Sequence, residues 1–164
     1  MEEGGGVMTE PSCEELIGPK MAETFDVLRR MLDAQAEEPQ YKEGDPAYDE
    51  GYDLPESFGE YGLSFDYVAP GTFGDHQKDG YFRYQMSWGG PSDELRFYGS
   101  PGRYGELDCD RAEYVYMDWF DGASRRCCDG NLGIALEVLA QFDHGNLGDM
   151  IEDAETVEDH RLFK

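Results

Sequence analysis

The segment YFRYQMSWGGPSDELRFY, residues 81–98, decides the fold class of this 164-residue chain. Side chains alternate between the two faces of an extended strand. One face of the first half therefore carries Phe82, Tyr84, Met86 and Trp88. The turn residues GGPSD (89–93) reverse the chain, and ELRFY (94–98) returns with the same alternation. The pattern predicts a β-hairpin whose apolar face needs a covering layer.

Two flanking segments extend the hairpin into a sheet. YGLSFDYV (61–68) and AEYVYMDWF (112–120) also alternate and are rich in aromatic residues. We therefore expect a three-to-four-stranded antiparallel sheet, with Arg83 on its exposed face. Its apolar face should carry Phe82, Tyr84, Met86, Trp88, Leu95, Phe97, Val115, Met117 and Trp119.

Helical periodicity appears on both sides of the strands. Apolar residues recur at helical spacing from Met21 to Leu32, which predicts a helix that begins at Pro19, after a short turn capped by Ser12, and ends near Ala36. Asn131 is the expected cap of a second helix, with Leu132, Ala135, Leu136, Leu139 and Phe142 on one face. Helices on one face of the sheet give a two-layer α+β domain.

The chain divides by composition into four expected parts. They are an N-terminal lead with an acidic amphipathic helix (1–36), an acidic tyrosine-rich arm (37–60), an α+β domain (61–147) and an acidic C-terminal segment able to form a short helix (148–164). The arm contains three prolines and three glycines. These residues predict an irregular segment.

Net charge restricts the possible partners. The chain has 37 acidic and 13 basic residues, a formal charge of −24, and both halves are acidic. Such a chain repels nucleic acid and anionic membranes, so we expect neither direct nucleic-acid binding nor membrane association. Basic protein surfaces are its natural electrostatic partners. The acidic N-terminus has no apolar run and no segment is long enough to span a membrane, which favours a cytoplasmic protein.

Catalytic motifs are lacking in the sequence. It has no phosphate-binding loop, dinucleotide fingerprint or nucleophile elbow, so we expect no enzymatic activity, no cofactor and no metal. The four cysteines, Cys13, Cys109, Cys127 and Cys128, have no metal-ligand spacing and are expected to be free thiols. Arg125 and Arg126 precede the last two, which leaves a redox site there as an alternative.

The carboxylates are the candidate partner-binding groups. A charge of −24 equals that of about 12 base pairs of duplex DNA. Arginines that bind phosphate make the same bidentate contacts to carboxylates, so an acidic surface can occupy a DNA-binding groove. The candidate partner-binding residues are Glu37, Glu38, Glu43, Asp45, Asp49, Glu50, Asp53, Glu56, Glu60, Asp66, Glu106, Asp108, Asp110, Glu113, Asp118 and Asp121.

A family-level resemblance adds a biological setting. The block DYVAPGTFGDHQKDGYFRYQMSWGGPSDELRFYGS (66–100), with EYVYMDWFDGA (113–123) downstream, resembles small acidic proteins of plasmids, phages and other mobile elements. Proteins of this type act in antirestriction and anti-CRISPR inhibition. The resemblance implies a non-enzymatic inhibitor that blocks the nucleic-acid site of a basic host defence complex. The alternative is an acidic adaptor or immunity protein for another basic partner. The sequence leaves the oligomeric state open.

Overall fold

The computed structural model describes residues 11–36, 55 and 57–162, the last eight as helical backbone. Five strands form one antiparallel sheet in the order β1-β2-β3-β4-β5. The strands are β1 (Ser64–Val68), β2 (Tyr81–Ser87), β3 (Ser92–Pro101), β4 (Leu107–Asp118) and β5 (Asp121–Arg126). The helices in the described ranges are α1 (Cys13–Ala36), α2 (Phe58–Tyr61), α3 (Asp129–Phe142) and α4 (Leu147–Leu162).

The predicted α+β class is confirmed, but the sheet has one strand more than the three or four expected. The additional strand is β5, which pairs with β4 through a tight turn at Trp119 and Phe120. The strand has the sequence DGASRR, and Ala123 is its one buried residue. A strand with one apolar contact has no alternation to detect, so its pairing with β4 determines its conformation.

Helix α1 is longer than predicted. We expected Gly18 and Pro19 to interrupt the segment, yet the helix runs continuously from Cys13 with Pro19 inside it. A proline within a helix removes one backbone hydrogen bond. The buried residues Ile17 and Met21 on either side of Pro19 pack into the core, and this packing holds both halves in one helix.

The helices cover one face of the sheet, here called the covered face. Cross-strand pairing aligns Tyr84 with Leu95 and Leu95 with Tyr114, and all three are at most 1% exposed. Phe25 of α1 contacts Tyr114 edge-on at 6.2 Å between ring centroids. The core thus lies between the sheet and α1, α3 and α4, whose buried residues belong to the same hydrophobic cluster.

The predicted orientation of β4 was wrong. Tyr114 and Tyr116 face the helices, whereas Val115 and Met117, expected in the core, lie on the opposite face, here called the open face. Both faces of this strand are apolar, so alternation alone cannot choose between them. Hydrogen bonds satisfy the buried hydroxyl of Tyr114, whose oxygen lies 2.7 Å from Asp93 Oδ2.

Helices α3 and α4 follow the predictions more closely. Helix α3 begins at Asp129 with Cys128 as its N-cap, three residues before the expected cap Asn131. The expected C-terminal helix is confirmed as α4, where Leu147 and Ile151 enter the core. No helix in the described ranges is long and apolar enough to cross a membrane.

Candidate functional site

The open face of the sheet forms the floor of a groove of about 1010 Å³. One end is closed by the loop between β1 and β2, which contributes Phe73 and the residues from His76 to Asp79. The other end is closed by the tips of the β2–β3 and β4–β5 hairpins. We call this site the open-face groove. Its floor comprises Tyr81, Arg83, Gln85, Ser92, Glu94, Arg96, Tyr98, Arg111 and Met117, and the hairpin tips add Trp88, Gly89, Gly90 and Trp119.

The strand register aligns four ionised residues in a row across this face of the sheet, with two arginines in the middle and a carboxylate at each end. Asp66 pairs with Arg83, Arg83 with Arg96, and Arg96 with Glu113. The first pair is bidentate, with Arg83 Nε and Nη2 at 3.0 and 2.7 Å from the two Asp66 oxygens. The two outer pairs join opposite charges, which stabilises neighbouring strands, whereas the central pair places two like charges opposite each other. This row therefore fixes where the arginines lie.

Arg96 forms an ion pair with a buried carboxylate of the same strand. Glu94, two residues earlier on β3, has a side chain only 2% exposed and accepts a hydrogen bond from Arg96 Nε at 2.7 Å. A buried carboxylate without this partner would be strongly unfavourable. The bond uses the Nε donor, and the guanidinium also makes a side-chain hydrogen bond to Tyr98.

Two arginine–tyrosine stacks lie side by side on the floor. The Arg96 guanidinium carbon is 4.6 Å from the centroid of the Tyr81 ring, and that of Arg111 is 3.8 Å from the Tyr98 ring. The two rings are themselves in contact at 5.3 Å. The tyrosine faces hold the guanidinium groups flat, as cation–π pairing favours.

Tyr81 is the least satisfied polar group of this floor. The residue is 2% exposed, and its buried hydroxyl has no hydrogen-bond partner among the described residues. Burial raises the pKa of Tyr81 to about 12, so the hydroxyl stays protonated and is a donor at neutral pH. The floor therefore retains hydrogen-bonding capacity beside the arginines.

Arg111 is the least constrained arginine of the floor. Its ion pairs with Asp79 and Glu113 measure 3.8 and 3.6 Å, both longer than a hydrogen bond. Its side chain is about one-third exposed. Lys78, in the loop above it, is exposed as well. These two cations can accept a new anionic partner without losing a short ion pair.

Aromatic side chains project from the hairpin tips. Trp88 is 77%, Trp119 84% and Phe120 fully exposed. Trp119 lies against Gly90 of the neighbouring hairpin, where an added Cβ would be 3.0 Å from its indole nitrogen. Exposed tryptophans of this kind are typical of binding surfaces. We predicted both in the core, and their positions at strand ends rather than within strands explain the difference.

Most carboxylates of the predicted arm lie outside the part of the chain that the structure describes. The arm residues that lie outside the described ranges are Glu37, Glu38, Glu43, Asp45, Asp49, Glu50, Asp53 and Glu56. Glu60 is described and exposed in α2, where its backbone N–H donates to the capping Ser57 hydroxyl.

Several predicted partner-binding acids have structural contacts instead of a free carboxylate. Asp66 and Glu113 belong to the charged row on the open face. Glu106 accepts a hydrogen bond from the Tyr104 backbone N–H at 2.8 Å. Asp121 accepts one from the Cys13 backbone N–H at 2.7 Å, which satisfies a donor at the start of α1 and lowers the pKa of Asp121. These contacts account for four of the acids within the domain.

The remaining predicted acids do not form one cluster. Asp108 and Asp110 are exposed at the beginning of β4. Asp118 is half-buried at the far end of the same strand, near the Gly90 tip. The structure therefore separates these three carboxylates along one 12-residue strand.

The four cysteines differ in burial, with Cys13 and Cys127 buried, Cys109 partly buried and Cys128 exposed. All four are free thiols, and Cys127 is buried. Burial raises the pKa of the Cys127 thiol to about 12, the opposite of the activation expected from the neighbouring arginines. Burial likewise raises the pKa of Cys109 to about 11. Within the described ranges, no group of three His, Cys, Asp or Glu residues could hold a metal ion.

Charge is distributed unevenly between the groove and the rest of the domain. The described side chains include 23 carboxylates and ten arginines or lysines, and four of these cations with two carboxylates line the groove. The other described side chains therefore comprise 21 carboxylates and six cations. Asp66 and Glu113, which pair with Arg83 and Arg111, bring the local count to four cations and four carboxylates, so the groove is close to neutral within a strongly negative molecule.

Alternation along β2 correctly predicts Arg83 on the exposed face of the sheet. The groove on that face was not predicted. A signal was present in the spacing Tyr81-x-Arg83 and Arg96-x-Tyr98, which puts cations and aromatic rings on one face of adjacent strands. Arg111 completes the pattern on β4. The depth of the groove depends on the β1–β2 loop and the hairpin tips, whose positions no periodicity predicts.

No protein-family model, curated protein or solved structure matches this chain, so its own residues carry the functional argument.

Proposed function

We propose that the protein is a non-enzymatic inhibitor of a host defence complex, of the anti-CRISPR or antirestriction kind. It blocks the complex's nucleic-acid-binding site with an acidic surface. The observation that carries the proposal is the excess of carboxylates, which is most concentrated in residues 37–60, where nine carboxylates accompany one lysine. Solubility requires a net charge of only about 2–8 for a small domain. The excess therefore favours selection for a basic partner.

The physics of the competition is that of counterion release and arginine recognition. A nucleic-acid-binding groove presents arginines and lysines at phosphate spacing, and carboxylates satisfy the same donors. Binding an acidic protein releases the groove's anions, and opposite fields accelerate the encounter. The inhibitor thus gains affinity from the charge that the groove needs for DNA.

The structural contacts refine the proposed blocking surface. Four predicted acids make contacts that support the fold, so we propose no direct contact between them and the partner. They are Asp66, Glu106, Glu113 and Asp121. The proposed surface combines the carboxylates of the arm (37–60) with exposed Asp108 and Asp110.

A second candidate function is an acidic adaptor or immunity protein for a basic partner that does not bind nucleic acid. The exposed Trp88, Trp119 and Phe120 favour it, because aromatic side chains dominate the energy of many protein interfaces. The two functions differ in whether nucleic acid competes for the partner.

An infection assay tests the proposed inhibition. Host strains with a restriction or CRISPR system are challenged with phage while they express the full chain. We expect the chain to restore plating. Amide substitutions throughout the arm, at Glu37, Glu38, Glu43, Asp45, Asp49, Glu50, Asp53 and Glu56, should reduce the restoration in steps as their number increases.

The matched control removes the same charge from the helices. It carries amides at Glu15, Glu23, Asp26, Asp33, Asp129, Glu137, Asp149 and Asp153, all exposed. We expect this variant to protect phage nearly as well as the unchanged chain. No protection in any strain, or equal loss in the two variants, would overturn the proposed blocking surface.

A further inference from the structure

The open-face groove has the composition of a site for an anion that also carries a planar ring. Its cations lie toward the β1–β2 loop, and its indole rings lie at the hairpin tips. Polyvalent anions bind guanidinium groups, whereas planar rings stack on tryptophan. A ligand that satisfies both ends needs both chemical groups in one molecule.

The groove's dimensions set the ligand's length. Arg96 and Ser92 are separated by four residues of β3, or about 13 Å at 3.3 Å per residue. Ser92 pairs with Met117, beside the tip that carries Trp119. A ligand that contacts the arginines and an indole must span this distance. A nucleoside monophosphate is too short, whereas a triphosphate or a dinucleotide is long enough.

The phosphate end has donors to spare. Arg111 has only long ion pairs, Arg96 uses Nε for Glu94, and the exposed Lys78 lies in the loop above them. The Tyr81 ring, 4.6 Å from the Arg96 guanidinium carbon, supports this arginine from within the sheet. The lining holds four cations and two carboxylates, and Asp66 and Glu113 pair with two of those cations, so an anion would bind through individual donors rather than through a net positive charge.

The negative charge of the whole chain does not exclude such a ligand. At physiological salt the Debye length is about 8 Å. The helices lie behind the sheet, and a helix alone is about 10 Å across. Their carboxylates are therefore largely screened from the groove, where nearby arginines determine the local potential.

From these observations we propose that the open-face groove binds a nucleotide with an extended phosphate, namely a nucleoside triphosphate or a dinucleotide. The base lies against Trp88 and Trp119, and the phosphates contact Arg96, Arg111 and Lys78. This site uses different residues from the acidic blocking surface, so either proposal can fail without the other.

Tryptophan fluorescence gives a direct test because the chain has two tryptophans and both line the groove. The full chain is titrated with ATP, the dinucleotide pApA, AMP, adenosine and inorganic triphosphate. We expect saturable changes in emission for ATP or pApA, with a Kd of about 0.1 mM or below. Adenosine and triphosphate should bind at least about tenfold more weakly because each lacks one end of the ligand, and AMP should do so because it is too short to reach both ends of the groove.

Charge-matched variants locate the binding site. Arg111→Gln removes the least constrained guanidinium and should weaken binding about tenfold, as expected when one charge-assisted contact is lost. Arg30→Gln makes the same charge change at an exposed position of α1 and should leave the Kd unchanged. Circular dichroism of both variants checks that the fold is retained.

The source of the nucleotide is resolved by a further titration with a short single-stranded oligonucleotide. Tighter binding of the oligonucleotide than of pApA identifies a strand end as the ligand, and the reverse identifies a free nucleotide. A polyglutamate peptide tests the other polyanion class. The proposal fails if no nucleotide gives saturable quenching, if Arg111→Gln binds like the unchanged chain, or if only polyglutamate binds.

Discussion

On the covered face of the sheet, Tyr84, Leu95 and Tyr114 form a row that is fully buried, and both tyrosine hydroxyls are hydrogen-bonded. The neighbouring row on the open face contains charged, partly exposed residues, including Arg83 and Arg96. The same strands carry both rows. Alternation along these strands thus places the residues that stabilise the core on one face of the sheet and leaves the other face available for binding.

The largest loss of stability should come from truncating a buried side chain on the covered face. Leu95→Ala removes a fully buried side chain and should lower the free energy of unfolding by about 2–5 kcal/mol. Trp88→Ala, at an exposed hairpin tip, should change it by less than about 0.5 kcal/mol. Urea unfolding followed by circular dichroism measures both. Equal losses would contradict the division between the two faces.

A smaller loss of stability should come from breaking the ion pair between Glu94 and Arg96 on the open face. Arg96→Ala leaves the buried Glu94 carboxylate without its 2.7 Å partner, which should cost about 3 kcal/mol. The double variant Glu94→Leu with Arg96→Met replaces both charges by apolar groups and should recover most of that loss. If the double variant is less stable than Arg96→Ala, the pair itself stabilises the open face more than this account allows.

The smallest effect should appear at Asp121, which joins the sheet to α1. The Cys13 N–H holds the pKa of this carboxyl below its ordinary value of 3.8, so the folded state favours the charged form. The resulting stability is present above pH 3.8 and is lost as pH falls through the folded pKa.

Thermal melts at a series of pH values test this linkage. Asp121→Asn should melt slightly below the unchanged chain at neutral pH, because the amide oxygen is a weaker acceptor than a carboxylate. The difference should disappear in acid. A difference in melting temperature that persists below the folded pKa would show that charge on Asp121 is not its cause.

The parts of the fold that sequence predicts are those with a strong period. The β2–β3 hairpin, β1 and the helical face of α3 each repeat apolar residues at one spacing, and the structure confirms all three elements, although Trp88 and Leu136, both predicted to face the core, are exposed. Strand β5 has no such repeat and was missed. The face of β4 was reversed because its two sides are equally apolar, and only the pairing of Tyr114 with Leu95 determines which one is buried.

The candidate sites were less predictable than the fold. Composition identifies an acidic protein, but the contacts of Asp66, Glu106 and Asp121 depend on partners distant in sequence or on loop geometry. The groove requires β2, β3 and β4 in register and a loop above them. Its arginines are visible in sequence, whereas its shape is a property of the assembled sheet.

Competition between DNA and the protein for its partner tests the proposed function most directly. The tagged full chain is incubated with lysate of a host that carries an active defence system, and captured proteins are identified by mass spectrometry. Duplex DNA longer than about 12 base pairs, which matches the chain's charge, is then added as competitor. We predict that the captured complex binds nucleic acid and that the DNA releases it. A partner that stays bound in excess DNA, or that does not bind nucleic acid, would contradict the proposal of an inhibitor acting at a nucleic-acid site.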